Sequence, residues 1–283
     1  MPVARRRLAL DGTWRDVTLA YLDWGDPASE RVVLCVHGLT RNAHDFDDLA
    51  AHLAAAGARV LAVDVAGRGR SSWLADPNAY VVPTYAAHLA RFCQLLRLPP
   101  VDWVGTSMGG LIGMALAASD APPLRRLVLN DIGPFVPHDA LVGIKAYLDL
   151  DLRFASLDDL EAHLRVIHAP FGDLDDAQWR RLARTSARRD RDGWRLRYDP
   201  AIRAAYAEMS EGDVDLWELW DRIAVPTFVL RGQTSPILPA DVAAAMGKRG
   251  PRAEVVTVEG VGHAPALLAA DQIATVRRWL DLA

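Results

Sequence analysis

The sequence predicts an α/β fold in which a largely parallel sheet is covered by helices on both faces. Short β-branched runs recur along the chain, and each ends at a turn signal. Helical patterns stand between several of these runs, so strand and helix alternate, as they do in parallel sheets. The chain has 283 residues, 51% of them hydrophobic, which is enough for one large domain with an insertion.

The predicted strands follow one another in a regular order. The opening segment, RRLALDGTWRDVTLAYLDWG, has the pattern of two strands joined through Asp11-Gly12, which predicts an antiparallel hairpin at the sheet edge. The later strands are predicted at residues 32–36, 59–65, 101–105, 127–130, 227–230 and 254–258. Segments such as HDFDDLAAHLAAAG and TYAAHLARFCQLLRL, which lie between them, have helical patterns.

Between Pro134 and Ile223 the strand patterns vanish and helical patterns replace them. SLDDLEAHLRVIH begins with a Ser156 to Asp159 capping box, and DDAQWRRLARTSARRD and DVDLWELWDRI follow. A helical stretch between two sheet strands predicts a lid on one end of the sheet. We therefore expect a core domain of residues 1–133 and 224–283 and a helical cap of residues 134–223.

Charge and cysteine usage exclude several classes of protein. The net charge of −4 and the pI of about 6.1 provide no general basic face for nucleic acid. The basic opening has an apolar run that stops at Leu10, and no segment approaches the length of a membrane span, so no secretory signal and no membrane association are expected. Cys35 and Cys93 lie in apolar patterns typical of buried thiols. We expect a cytoplasmic protein without a disulfide.

The strongest local motif is VDWVGTSMGGLIG, in which Gly105-Thr-Ser107-Met-Gly109 forms a G-x-S-x-G pattern. It follows a predicted strand and precedes a predicted helix, which is the placement a nucleophile elbow requires. Glycines are needed there because a Cβ would collide with the neighbouring strand and helix. The motif predicts Ser107 as a nucleophile at a helix N-terminus, with Gly105 and Gly109 shaping the turn.

A serine hydroxyl needs a base that is itself oriented by a third group. His263, in VEGVGHAP after the last predicted strand, is the candidate base, since Gly260 and Gly262 loosen its loop. The alternative is a surface histidine. The other histidines lack ligand spacing, so no metal site is predicted.

Acyl transfer also needs donors for a developing oxyanion. The backbone N–H groups of Met108, after the nucleophile, and of Leu39, in the turn after the first parallel strand, are the candidates. His37 and Gly38 are then expected to act structurally.

Five motifs carry a resemblance to a known family: CVHGLTRNAHDFD, DVAGRGRSS, VGTSMGGLIG, LNDIGP and GVGHAP. In this order and spacing the chain, from about Leu19 to Leu282, resembles the α/β-hydrolase superfamily and its lid-bearing bacterial esterase-like members. The resemblance implies an eight-stranded, mostly parallel sheet, a helical cap between sheet strands six and seven, and a Ser, acid, His triad. It also implies that Asp64 is structural, holding the turn after the fourth strand.

The acid of that triad is in question. Many relatives carry it after the seventh strand, where this chain has RGQTSPILP, with Pro236 at the corresponding place. Some members use an acid after strand six instead, and Asp131 in RLVLNDIGP lies there. Asp131 is therefore the leading candidate, with the alternative that it only caps the turn into Gly133-Pro134. Asp241 is the second candidate acid.

These residues predict a serine hydrolase that cleaves carboxylic esters of small or medium size through an acyl-enzyme, without a cofactor. A lactonase, a C–C bond hydrolase, a perhydrolase or a catalytically weak binding protein stays open as an alternative. An arginine-rich run at 180–197 predicts a solvated helical face, with an acidic substrate or partner as the alternative. The expected partner is a small ester-like molecule, and the expected assembly is a monomer or homodimer.

Overall fold

The structure, a computed structural model, describes residues 3–207 and 212–282. The extreme ends of the predicted core, residues 1, 2 and 283, lie outside the described residues. Among the described residues, no helix has both the length and the apolar character needed to cross a membrane.

The strands are, in chain order, β1 Ala4–Ala9, β2 Thr18–Trp24, β3 Val32–Val36, β4 Arg59–Val63, β5 Val101–Thr106, β6 Leu124–Asn130, β7 Phe135–Val136, β8 Ala187–Asp190, β9 Gly193–Leu196, β10 Val214–Asp215, β11 Thr227–Gly232 and β12 Glu254–Val258. The α-helices are α1 Asp47–Ala55, α2 Val82–Leu95, α3 Met108–Ala117, α4 His138–Leu148, α5 Leu157–Ile167, α6 Asp176–Ser186, α7 Ile202–Ala207, α8 Trp217–Asp221, α9 Ala240–Met246 and α10 Ala270–Trp279.

Eight strands form one sheet in the order β1-β2-β4-β3-β5-β6-β11-β12. Strand β2 pairs antiparallel with both of its neighbours, and the ladders from β4 to β12 are parallel. Strands β6 and β11 are therefore neighbours in the sheet. The chain connects them through the whole segment 134–223, which we call the insert. The predicted α/β architecture with a mostly parallel sheet is confirmed.

The sheet is buried because both faces are covered by helices. One apolar cluster joins the sheet to α2 and α3, with Tyr85, Phe92 and Ile112 wholly buried. The other joins it to α1 and α10, through residues such as Leu49 and Val276. Continuous hydrophobic runs such as VVLCV in β3 are what a strand covered on both faces requires.

The predicted β4 extended to residue 65, but the strand ends at Val63. The reason is Asp64, whose carboxylate accepts the backbone N–H groups of Ala43 and Arg70, both at 2.8 Å, and so fixes a loop in place of further sheet. Burial raises the pKa of the Asp64 carboxyl, while these N–H donors oppose that rise. The structural role expected for Asp64 agrees with this geometry.

The insert is not entirely helical, and that part of the prediction is wrong. Helix α6 ends at Ser186, after which β8 and β9 pair as an antiparallel hairpin. The dipeptide Asp192-Gly193, a turn signal, stands at the tip, and Gly193 has a φ of 138°. Strands β7 and β10 also pair, so the two ends of the insert meet.

The hairpin changes the interpretation of the arginine-rich run. Arg188 and Arg191 do not share a helical face with Arg184, because they follow the end of α6. Several of these arginines instead form ion pairs, including Arg195 with Asp151 at 2.7 Å and with Asp190 at 2.6 Å. Elsewhere in the insert, the Ser156 capping box is present as predicted.

The two cysteines are buried and unpaired. Burial raises the pKa of the Cys93 thiol to about 12, and that of Cys35 rises for the same reason. Such thiols stay protonated and unreactive.

Candidate active site

Ser107 lies between β5 and α3 in a backbone conformation that L residues seldom adopt, with φ 51° and ψ −116°. The turn is tight enough to require both predicted glycines. A Cβ on Gly105 would lie 2.4 Å from Gly109, and one on Gly109 would lie 2.0 Å from the carbonyl oxygen of Val36. The strand and helix therefore hold the Ser107 hydroxyl at the carboxyl edge of the sheet, at the helix N-terminus.

His263 follows β12 in a loop before α10, and its side chain is 23% exposed. Its Nε2 lies 2.9 Å from Ser107 Oγ, and its Nδ1 lies 2.7 Å from Asp131 Oδ2. With the proton on Nδ1, the ring donates to the carboxylate and accepts from the serine hydroxyl. The loop thus brings together two residues that are 156 positions apart in the chain.

Asp131 comes directly after β6 and is wholly buried, with φ 58°. Its Oδ1 accepts the N–H of Gly232 at 2.9 Å, which leaves Oδ2 for His263. Gly232 ends β11, the neighbouring strand, so the adjacent strands together orient the carboxylate. No other carboxylate in the described part of the chain lies within 4.0 Å of His263.

The other acid candidate is elsewhere. Pro236 is exposed in the loop after β11, and Asp241 is exposed in the first turn of α9. The structure therefore brings Asp131, and not Asp241, to the imidazole.

The two predicted oxyanion donors flank the elbow. Met108 is the first residue of α3, and Leu39 lies in the turn after β3. That turn passes close to the nucleophile, since a Cβ on Gly38 would lie 3.7 Å from Ser107 Cβ. Within residues 3–207 and 212–282, the N–H groups of Leu39 and Met108 have no hydrogen-bond acceptor, so both are free to bind an anion.

His37 is buried against this turn and has both ring nitrogens engaged. Its Nδ1 donates to the carbonyl of Gly38 at 2.7 Å, and its Nε2 accepts the N–H of Val65 at 3.0 Å. Burial lowers the pKa of His37 to about 3, so the ring is neutral. Because the carbonyl of Gly38 and the N–H of Leu39 belong to one planar peptide, His37 orients that donor.

Two arginines near the turn were not singled out from the sequence. Arg68 is wholly buried and donates to the carbonyl of Leu39 at 2.8 Å. Arg41 pairs with Asp45 at 2.6 Å and donates to Ser186 Oγ of the insert at 3.0 Å. The sequence offered only a weak signal for these two residues. Both arginines stand in family motifs, but arginine is common in this chain.

This arrangement suits nucleophilic acyl transfer. A neutral imidazole that is hydrogen-bonded to a serine can take its proton, and a buried carboxylate holds the correct tautomer and stabilises the imidazolium. Among the described residues, no cluster of three or more His, Cys, Asp or Glu side chains could hold a metal ion.

Comparison with known proteins identifies the family. The sequence profile of the alpha/beta hydrolase fold matches residues 31–270, most of the chain. The protein belongs to the α/β-hydrolase family.

The relatives of this α/β-hydrolase include a hydrolase and an esterase. The 3-hydroxybutyrate-oligomer hydrolase of Cupriavidus necator is 43% identical over 265 residues, which cover 90% of both chains. An esterase of Mycobacterium tuberculosis is 31% identical over 253 residues, 87% of this chain and 80% of the relative. The crystal structure of an α/β-hydrolase from Novosphingobium aromaticivorans superposes with a TM-score of 0.86 at 35% identity, covering 99% of both chains.

The family match and these relatives confirm the predicted α/β-hydrolase fold and hydrolase class. The individual roles of Ser107, His263, Asp131, Leu39 and Met108 stay predictions, now with defined geometry.

Proposed function

We propose that this α/β-hydrolase cleaves carboxylic esters of small or medium size through an acyl-enzyme on Ser107. The observation that carries the proposal is the pair of hydrogen bonds that links Ser107 Oγ to His263 and His263 to the buried Asp131. The relationship to an esterase and to an oligoester hydrolase supports the same reaction type.

In the first half-reaction, Ser107 Oγ attacks the ester carbonyl while His263 Nε2 takes the hydroxyl proton. The carbonyl oxygen becomes an anion, which accepts hydrogen bonds from the N–H groups of Leu39 and Met108. When the tetrahedral intermediate collapses, the C–O bond to the alcohol breaks. His263 returns the proton to the leaving oxygen, and the acyl group stays on Ser107.

In the second half-reaction, water attacks the acyl carbonyl and gives a proton to His263. The new tetrahedral intermediate expels Ser107 Oγ, which recovers that proton, and the carboxylic acid is released. Asp131 accepts the Nδ1–H of His263 and stabilises the imidazolium at both stages.

We further propose that the insert is a lid over this site. Its support is the contacts between the insert and the oxyanion turn: Arg41 donates to Ser186, and Asn42 Nδ2 donates to the carbonyl of Thr185 at 3.3 Å. A cavity beside these contacts is lined by apolar side chains such as Phe171 and Leu182 and by polar ones such as Arg41 and Arg181. Its apolar part suits the hydrophobic portion of an ester.

The test is turnover of p-nitrophenyl acetate and p-nitrophenyl butyrate by the wild type and by Ser107→Ala, followed by reaction with a sulfonyl fluoride. We expect hydrolysis by the wild type, none above background by Ser107→Ala, and one sulfonyl adduct on the peptide that contains Ser107. Absence of both turnover and adduct in the wild type would favour a ligand-binding member of the fold.

A second candidate concerns the substrate itself: an oligoester of a short hydroxy acid. The 43% identity to a 3-hydroxybutyrate-oligomer hydrolase, across 90% of both chains, favours it. The test compares kcat/KM for linear 3-hydroxybutyrate dimers and trimers with kcat/KM for p-nitrophenyl butyrate. A higher value for the trimer supports the oligoester, whereas turnover of the activated ester alone supports a simpler ester.

A further inference from the structure

Arg68 is a buried cation in the loop between Gly67 and Gly69. Its side chain is wholly buried. Within the residues that the structure describes, no carboxylate lies within 4.0 Å of its guanidinium, because the ion pairs found there do not include it. A buried charge that no carboxylate contacts directly is unfavourable for folding, so packing alone is a poor reason for an arginine at this position.

The guanidinium is satisfied by neutral acceptors. Nε donates to the carbonyl of Leu39 at 2.8 Å, and Nη1 donates to the carbonyl of Ala66 at 2.9 Å and to Tyr85 Oη at 2.6 Å. Nη2 lies 3.5 Å from Met108 Sδ. The charge also lies 4.9 Å from the centre of the Tyr85 ring, a cation–π contact that partly compensates for the absence of a direct ion pair.

Two of these acceptors belong to the residues whose N–H groups face the developing oxyanion. The Leu39 carbonyl begins the peptide unit that follows the Leu39 N–H, and His37 holds the preceding unit through the carbonyl of Gly38. Arg68 and His37 therefore fix consecutive peptide planes of the turn. The same guanidinium touches the Met108 side chain, whose backbone is the other donor.

We infer that Arg68 is a positioning residue of the oxyanion hole: its guanidinium holds the Leu39 turn and Met108 in one geometry and places a positive charge behind the two N–H donors. This inference rests on the proposed ester hydrolysis. The hole is used only when the carbonyl oxygen becomes an anion, so Arg68 acts on the transition state and not on the bound ester.

The closing experiment measures kcat and KM for p-nitrophenyl butyrate in Arg68→Met, which keeps much of the apolar volume and removes the charge and the donors. We expect kcat to fall by about 10²-fold, as it does when a hydrogen-bond donor of an oxyanion hole is misplaced. KM should stay within about twofold of the wild type. The inhibition constant of an alkyl trifluoromethyl ketone, which adds to serine as a tetrahedral anion, should rise by a similar factor.

A merely structural role predicts a different result. Loss of folded protein reduces the number of active sites and so lowers the apparent kcat. It does not change the affinity of the remaining sites for the ketone. Folded Arg68→Met with kcat within about threefold of the wild type, or with unchanged ketone affinity, would overturn the inference.

Two further variants keep the experiment decisive. If Arg68→Met does not fold, Arg68→Lys retains the charge but cannot reach all three oxygen acceptors in one plane, so kcat should still fall about 10-fold with KM unchanged. Wild-type kcat in folded Arg68→Lys would then contradict the inference.

Arg126→Met is the control for removing an arginine elsewhere in the chain; unlike Arg68, Arg126 pairs with a carboxylate, that of Asp281 at 2.6 Å. Arg126 also donates to a backbone carbonyl, that of Trp279, and lies 5.8 Å from the centre of the Trp279 ring, but it stands near the start of β6, away from Ser107. We expect unchanged kcat. The turnover of Ser107→Ala, measured alongside, tests the proposed function separately from the effect of Arg68.

Discussion

Ser107 and Asp131, the two partners of His263, both have positive φ, at 51° and 58°. In each case a strand ends and the chain turns at once, so that the side chain projects from the carboxyl edge of the sheet. Such conformations cost free energy in residues other than glycine. At Asp131 the carboxylate is held at both oxygens, by the Gly232 N–H and by the His263 Nδ1–H.

This geometry makes Asp131→Asn a sharp test. The amide oxygen can still accept the Gly232 N–H, but its NH₂ group then faces the imidazole and favours the wrong tautomer. We expect kcat for p-nitrophenyl butyrate to fall by about 10⁴-fold with the fold intact. Asp241→Asn is the control and should retain wild-type kcat; near-normal turnover in Asp131→Asn would remove Asp131 from the mechanism.

A second prediction at the residue scale concerns His88 in α2. Its ring is buried 4.5 Å from the Trp14 ring, and burial lowers its pKa from 6.5 to about 4. In the window between these values the unfolded chain binds a proton that the folded chain does not, so stability falls as the pH falls through it.

His88→Phe removes this proton linkage while keeping an aromatic ring. Between about pH 7.5 and about pH 5, the free energy of unfolding of the wild type should fall by about 2 kcal/mol more than that of His88→Phe. Urea unfolding at both pH values measures the difference. Equal pH dependence in the two proteins would show that His88 is not buried as a neutral ring.

The sequence allowed some of these residues to be predicted and hid others. Ser107 stands in a motif flanked by a strand and a helix, and Asp131 could be proposed because strand six adjoins the nucleophile's strand in the family's topology. Arg68 could not be found this way. Its importance lies in contacts with Leu39 and Met108, which are distant in sequence and leave no local pattern.

At the scale of elements, the β5 to α3 turn depends on close backbone approach. A Cβ on Gly109 would lie 2.0 Å from the carbonyl oxygen of Val36, which is shorter than any real van der Waals contact. The helix must therefore start against β3, and it is this contact that brings the Leu39 turn beside Ser107.

We expect Gly109→Ala to lower the free energy of unfolding by about 3 kcal/mol or more, because strand and helix must separate. Gly143→Ala is the matched control: Gly143 is exposed in α4 with nothing within 4 Å of a new Cβ. It should raise stability by about 0.5 to 1 kcal/mol. Chemical denaturation of both variants tests the contrast; an unaffected Gly109→Ala would contradict the packing described.

Element boundaries show where pattern reading succeeds and fails. The predicted ends of β3 and β12 match the structure, because turn residues bound these apolar runs on both sides. The β8 to β9 hairpin was missed because ARRDRDGWRL has few apolar residues to reveal a period of two. The Asp192-Gly193 dipeptide was its one usable signal.

At the scale of the whole molecule, the insert meets the core where Arg41 spans the two. Arg41 is 6% exposed, pairs with Asp45 of the core and donates to Ser186, the last residue of α6. Removing it would leave the Asp45 carboxylate and the buried Ser186 hydroxyl without these partners.

We therefore expect Arg41→Met to destabilise the protein by roughly 2 kcal/mol and to speed amide exchange first in α6. Arg181→Met, which breaks the more exposed pair with Asp48, should cost below about 1 kcal/mol. Hydrogen exchange followed by mass spectrometry distinguishes the two. Equal protection of α6 in the wild type and Arg41→Met would argue against this attachment.

The central claim is that the ester is cleaved by covalent transfer of its acyl group to Ser107. It is tested most directly by mixing the protein rapidly with p-nitrophenyl butyrate, quenching in acid and mapping the peptides by mass. The account predicts one butyryl group on the peptide that contains Ser107, and neither acylation nor turnover in Ser107→Ala. Turnover that persists in Ser107→Ala, with the acyl group on another residue or on none, would contradict it.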